Sequence, residues 1–146
     1  MKDFLYLKDD QIREFLELLH NAYRKTNSLP QSFTSDKVIG EAQIRALKKI
    51  EKRPGISFSE LMFELKVTKQ SLNRVLRSLI KNKYIKQIKS KTDTRVKKHF
   101  LEHKGQNFYK KIFDTQKKII MNALIYSDPI SVINFKKVLN IIVNGK

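Results

Sequence analysis

The chain contains no cysteine. Disulfides, thiolate metal sites and thiol redox switches are therefore excluded, and the composition suits a cytoplasmic protein. Glycine is scarce, and Gly40, Gly55, Gly105 and Gly145 all stand isolated, so no glycine-rich phosphate loop can form. Histidine is limited to His20, His99 and His103. The last two are four residues apart, but His99 falls in an expected strand, so the pair would not share a helix face. With no cysteine and no acidic cluster beside them, no metal site is expected. No serine and histidine stand in a nucleophile–base spacing, so neither an enzyme nor a cofactor is expected. No apolar run approaches the ~18 residues of a membrane span. Met1 to Phe4 lead into acids and not into an apolar signal core, so no secretion signal is expected.

Acidic residues are also few. Lys and Arg number 31 against 14 Asp and Glu, a formal charge of +17 over 146 residues. So much positive charge favours a polyanionic partner. Apolar content of 40% is enough for a core, and the length suits one domain with an extension. The charge is concentrated. From Lys66 to Lys104 there are 13 basic residues and two acids, Asp93 and Glu102, hence +11.

That stretch opens with a helix. Leu72, Val75, Leu76, Leu79 and Ile80 recur at helical spacing and form one apolar stripe. Lys69, Gln70, Asn73, Arg74, Arg77 and Lys81 fall on the opposite face. Thr68 is a candidate N-cap. Amides and long cations are the side chains that read base edges and neutralise phosphates, although a solvated helix face has the same composition. Tyr84 to Ile88 then reads as a strand, and Lys98 to Leu101 as its antiparallel partner. Between them Lys89-Ser90-Lys91-Thr92-Asp93-Thr94-Arg95 has the composition of an exposed hairpin tip. A helix followed by a basic hairpin is the order of a winged helix-turn-helix.

Upstream, Pro54-Gly55 ends one helix, and Ser57-x-x-Glu60 fits a capping box opening the next. Phe58, Leu61, Met62 and Leu65 form its inner stripe, and Lys66-Val67 turns into the basic helix. The stretch Ile39 to Gly105 resembles the DNA-binding core of the MarR family of transcription regulators. The matching pieces are Gln43-Ile44-Arg45-Ala46-Leu47, Pro54 to Leu61, Val67 to Leu72, Asp93-Thr94-Arg95 and Leu101 to Gly105. Three positions depart from the family pattern. Glu102 stands where a capping Thr is usual, and Lys83 and Gln87 stand where Gly and Arg are usual.

The flanks are helical. Ile12, Phe15, Leu16, Leu19, Ala22 and Tyr23 make a stripe from Asp9 to about Thr26. Residues 27–37 are Ser/Thr-rich with Pro30 and read as a loop. A helix begins at Gly40 or Glu41, with Ile44, Leu47 and Ile50 inward. A long helix is expected from Gly105 to about Ser127. Asp128-Pro129 then caps a final helix carrying Ile130, Ile133, Val138, Leu139, Ile141 and Ile142. These faces can pack within the monomer or in a dimer; the resemblance implies an intertwined homodimer.

The expected fold is mainly α with a small β-wing: residues 1–34 a dimerisation helix and linker, 35–104 the winged helix-turn-helix, 105–146 the dimerisation helices. The expected partner is double-stranded DNA, bound as a pseudo-palindromic operator by a homodimer. Lys69, Gln70, Asn73 and Arg74 would meet major-groove edges and phosphates, with Arg77 on the same face. Thr68 and Ser71 would serve phosphates or cap the helix. Arg95 would enter a minor groove. Asp93 would hold Arg95 by an ion pair, or is a plain turn residue. Lys89, Lys91, Lys97 and Lys98 would supply sequence-independent attraction. The resemblance also implies a small-molecule effector between dimer helices and DNA-binding lobe, with Tyr6, Tyr23, Tyr109 and Phe113 as lining residues, although aromatics at helical spacing also build cores. Two other classes fit the charge: a nonspecific architectural nucleic-acid-binding protein, and a winged-helix protein-interaction module.

Overall fold

The computed structural model describes residues 8–28, Phe33 and 39–145. Residues 1–7 with Tyr6, the 34/35 boundary, and most of the expected 27–37 loop with Pro30 lie outside the described residues. The chain forms two compact units, residues 29–113 and residues 1–28 with 114–146.

In the first unit, helix α2 (Glu41–Lys52) buries Ala46, Leu47 and Ile50, whereas Ile44 is half-buried. Gly55 turns the chain with φ of 85°, and a Cβ there would press on the Phe100 ring at 3.2 Å. Strand β1 (Ile56–Ser57) runs directly into α3 (Phe58–Leu65). The capping box forms as its residues dictate. The Ser57 hydroxyl accepts from the Glu60 N–H at 3.3 Å, and the Ser57 N–H donates to the Glu60 carboxylate at 2.8 Å. Lys66 ends α3 in the left-handed region, φ 52°.

Helix α4 (Lys69–Lys81) follows the turn. The Thr68 hydroxyl accepts from the Ser71 N–H at 3.2 Å, so Thr68 caps the helix. Leu72, Leu76 and Leu79 are buried and Val75 is half-buried. Full burial of each leucine is worth about 1.5–3 kcal/mol, an upper bound. Ile80, read as part of this stripe, stands 36% exposed at its edge.

The expected strand start at Tyr84 is corrected by one residue. The Tyr84 N–H donates back to the Leu79 carbonyl at 2.9 Å, so it still closes the end of α4. Strand β2 is Ile85–Lys89 and β3 is Lys97–Leu101. The sheet is antiparallel in the order β1-β3-β2, with Gln87 and Ile56 both opposite His99. Lys83, at the usual glycine position, takes φ of 59°. That backbone costs a non-glycine residue on the order of 1 kcal/mol, yet it delivers the buried Tyr84 and Ile85 to the core.

Helix α5 (His103–Ile125) starts two residues before the expected Gly105. The Glu102 N–H donates to the Tyr84 carbonyl at 3.0 Å, and the Glu102 carbonyl accepts from Gln106 at 2.9 Å. The backbone thus starts the helix without a capping Thr. Phe108 packs edge-on against Tyr84 at 5.5 Å between centroids, and Ile112 is buried. The core of this unit joins α2, α3, α4 and the base of the wing.

In the second unit, α1 (Asp9–Asn27), the remainder of α5 and α6 (Pro129–Asn144) form the framework. Asp128 caps α6, its carboxylate accepting from the Ser131 N–H at 2.9 Å. Neither α1 nor α6 buries a single described residue. Phe15 is 52% and Ile130 69% exposed.

Candidate nucleic-acid interface

Helix α4 presents its polar face to solvent because its leucines face the core. Lys69, Gln70, Ser71, Arg74 and Arg77 are exposed, and Asn73 is half-buried. The wing stands beside it. Lys69 and Asn73 share a crevice with Arg95, Lys97 and Gln87, floored by Ser57 and Phe58 at the start of α3. Residues 69 and 73 are one helical turn apart, which aims both at the wing. Ser71 and Arg74 face the other way, into a second crevice with Gln43 and Arg45 of α2. The Arg45 guanidinium also donates to the Leu65 carbonyl at 3.1 Å, at the end of α3. Gln70 and Arg77 line neither crevice and point outward.

The wing tip is closed by its own backbone. Ser90 N–H donates to the Val96 carbonyl at 2.8 Å, and Val96 N–H to the Asp93 carbonyl at 3.0 Å. The Ser90 and Thr92 hydroxyls meet at 3.0 Å. The Asp93–Arg95 ion pair is corrected. The Asp93 carboxylate accepts from the Arg95 backbone N–H at 3.0 Å, an Asx-type turn, and it forms no salt bridge to the guanidinium. Ion pairs do form elsewhere, from Lys49 to Glu64 and from Arg53 to both Glu60 and Glu64. Lys89, Lys91, Lys97 and Lys98 are all exposed. Lys89 and Lys97 are directly opposite in the β2–β3 register. Like charges so placed repel each other in the free protein.

Behind the wing, the ion-pair network holds α2 to α3. Arg53 bonds Glu64 at 2.8 Å and also Glu60, while Lys49 reaches Glu64 at 3.1 Å. The Ser57 backbone and hydroxyl, then Arg53, hold the Glu60 carboxyl below its ordinary range. Lys49 and then Arg53 do the same for Glu64.

His99 is fully buried in β3. Its Nδ1 lies 3.0 Å from the Ile56 carbonyl and its Nε2 2.9 Å from the Gln87 amide nitrogen. Burial, and secondarily the nearby Lys97, push its pKa down despite the Ile56 carbonyl. His103 opens α5 and contacts Asn107, so the two histidines do not converge. Sequence reasoning missed Gln87 and Arg45 as crevice residues. Alternation along β2 could have found Gln87; nothing local signals Arg45.

A protein-family model described as the MarR family matches residues 39–96. The HTH-type transcriptional regulator PetP of Rhodobacter capsulatus is 33% identical over 135 residues, covering 92% of this chain and 81% of PetP. The chain belongs to the MarR family. It is a winged helix-turn-helix transcription regulator, and a DNA-binding protein, not an enzyme. The fold of this MarR-family regulator matches Streptococcus pneumoniae FabT, solved in complex with DNA, at a TM-score of 0.78 and 20% identity, over 94% of this chain and 96% of FabT. It also matches Bordetella bronchiseptica BpsR, whose structure concerns regulation of DNA binding by 6-hydroxynicotinic acid, at a TM-score of 0.62 and 15% identity, over 89% of this chain and 98% of BpsR. No helix among the regulator's described residues is long and apolar enough to cross a membrane.

Proposed function

We propose that this regulator acts in the cytoplasm as a homodimer on a pseudo-palindromic operator, with α4 in the major groove and the wing tip in a neighbouring minor groove. The observation that carries the reading is the shared crevice of Lys69 and Asn73 on α4 with Arg95 and Lys97 on the wing. A duplex lying along that surface would meet amide and cationic side chains from both elements at once. Gln70, Asn73 and Arg74 read base edges, and Lys69, Ser71 and Arg77 meet edges or phosphates. Thr68 orients the first turn of α4 through its cap. Arg95 enters the minor groove, with Asp93 shaping the turn that carries it. Lys89, Lys91, Lys97 and Lys98 attract phosphates irrespective of sequence.

The dimer reading is supported by α1 and α6, whose apolar residues have no core of their own to enter. An exposed apolar face of that extent marks an interaction surface. Two-fold symmetry sets two copies of α4 in successive major grooves, about 34–36 Å apart. Release of DNA by a small-molecule effector is the corresponding proposal for control, supported by the BpsR likeness.

The test is a selection of bound duplexes from a random pool at about 150 mM salt, where screening trims nonspecific binding. The expected product is an inverted repeat with half-sites about one helical turn apart. Binding to every duplex alike, with steep salt release, would replace this reading with an architectural one. Weak binding to all duplexes would favour a protein-interaction module.

A further inference from the structure

The buried histidine behind the wing sets the polarity of a side chain in front of it. The Ile56 carbonyl can only accept, so His99 Nδ1 must carry its proton at the 3.0 Å contact. Full burial keeps the ring neutral, and Lys97 nearby acts in the same direction. A neutral ring with Nδ1–H has a bare Nε2, which can only accept. The Gln87 amide nitrogen, 2.9 Å away, must therefore donate to it. The Gln87 NH2 group is turned inward to His99, so its carbonyl oxygen is turned away from the ring. Gln87 is exposed and lines the crevice with Lys69, Asn73, Arg95 and Lys97. That oxygen has no protein donor among the described residues, and it is an acceptor in a wall of donors.

We infer that Gln87 is a specificity-determining residue whose carbonyl oxygen accepts from a base amino group, adenine N6 or cytosine N4, and that His99 is the positioning residue that fixes this polarity. The inference rests on the DNA reading proposed above. A freely rotating glutamine offers either a donor or an acceptor and discriminates poorly between base edges. A glutamine anchored through one N–H of its amide has its oxygen fixed in place, and a base edge presenting another acceptor to that oxygen is repelled. Guanine O6 and N7 and thymine O4 are such acceptors. The strand register makes the relay possible, since Ile56, His99 and Gln87 are opposite one another across the three strands.

Duplex selection with the wild-type chain and with Gln87→Ala tests the base contact. The expected result is one position per half-site at which preference for the amino-bearing base falls about 3- to 10-fold, a single hydrogen bond's worth, with the other positions unchanged. His99→Leu, shown to be folded by its melting profile, should relax that same position. A preference matrix unchanged by Gln87→Ala overturns the inference, and so does a uniform loss of affinity for all sequences. Nitrogen-15 NMR of the wild-type imidazole at neutral pH tests the polarity independently of DNA. The Nδ1–H form with a bare Nε2 is expected; the Nε2–H form or an imidazolium overturns it. If the wild-type chain selects no motif at all, the operator reading itself has failed and the base contact falls with it. A wild-type motif left untouched by Gln87→Ala overturns the inference alone.

Discussion

Asp93 and Arg95 meet through the backbone: the carboxylate accepts from the Arg95 N–H at 3.0 Å, and the guanidinium is left out of any salt bridge among the described residues. The acid therefore shapes the turn without neutralising the charge the turn carries. Arg95→Ala should weaken operator binding by roughly 1–3 kcal/mol if it makes a specific contact. Asp93→Ala should weaken it by less, since the cation remains and only its presentation changes. Fluorescence anisotropy on an operator duplex measures both; equal losses, or none for Arg95→Ala, would contradict this division of roles.

Lys89 and Lys97 face each other across the wing. A phosphate between them would relieve their repulsion. Lys97→Gln should flatten the dependence of log affinity on log salt by about 0.9 per lost phosphate contact. The free protein should melt no lower, because a like-charge pair has been removed. An unchanged salt slope would show that Lys97 meets no phosphate.

Gly105 sits where α5 passes the α4–β2 junction. A Cβ there would lie 2.1 Å from the Tyr84 carbonyl oxygen, a backbone atom that cannot move aside cheaply. Gly105→Ala should destabilise the fold by about 1–3 kcal/mol. Thermal melting reads this directly, and a melting point equal to wild type would mean that α5 shifts without cost.

His99 makes stability depend on pH in one direction. Burial lowers its pKa in the folded chain, so the unfolded chain binds the proton more readily. The neutral ring's contribution is complete above its ordinary pKa near 6.5. It is lost as pH falls from there through the lowered folded value. Denaturant midpoints across pH 5 to 7.5 should therefore decline on acidification. In His99→Leu that part of the decline should be missing; an identical decline in both proteins would assign it to other groups.

The apolar faces of α1 and α6 underlie the proposed dimer. Ile133→Glu places a charge on α6 where Ile133 is exposed in the single chain. Sedimentation should show a shift from dimer toward monomer, together with a loss of operator affinity. A variant that stays dimeric with full affinity would place the dimer contact elsewhere.

Some of this was legible before any fold was known, and the reason is range. The Thr68 cap, the Ser57–Glu60 box and the Asp128–Pro129 start each depend on contacts within three residues along the chain. The leucine stripe of α4 follows from helical periodicity, so its basic outer face was readable as well. The signals that failed were those that neighbours cannot set. Spacing puts Ile80 in the stripe, but the packing of α4 ends at Leu79 and leaves Ile80 exposed at the edge. For Asp93 the sequence leaves open an ion pair with the guanidinium two residues on or a plain turn role, and the turn geometry gives it the Arg95 N–H. Lys83 adopts a left-handed backbone that its residue type disfavours, because buried Tyr84 and Ile85 must follow it. The relay from Ile56 to His99 spans 43 residues and exists only once three strands are in register. Local sequence thus determined which helices form and which face is cationic. Tertiary packing decided which of those cations share a crevice, and which end of Gln87 faces it, because strand pairing and burial are set by residues far apart in the chain.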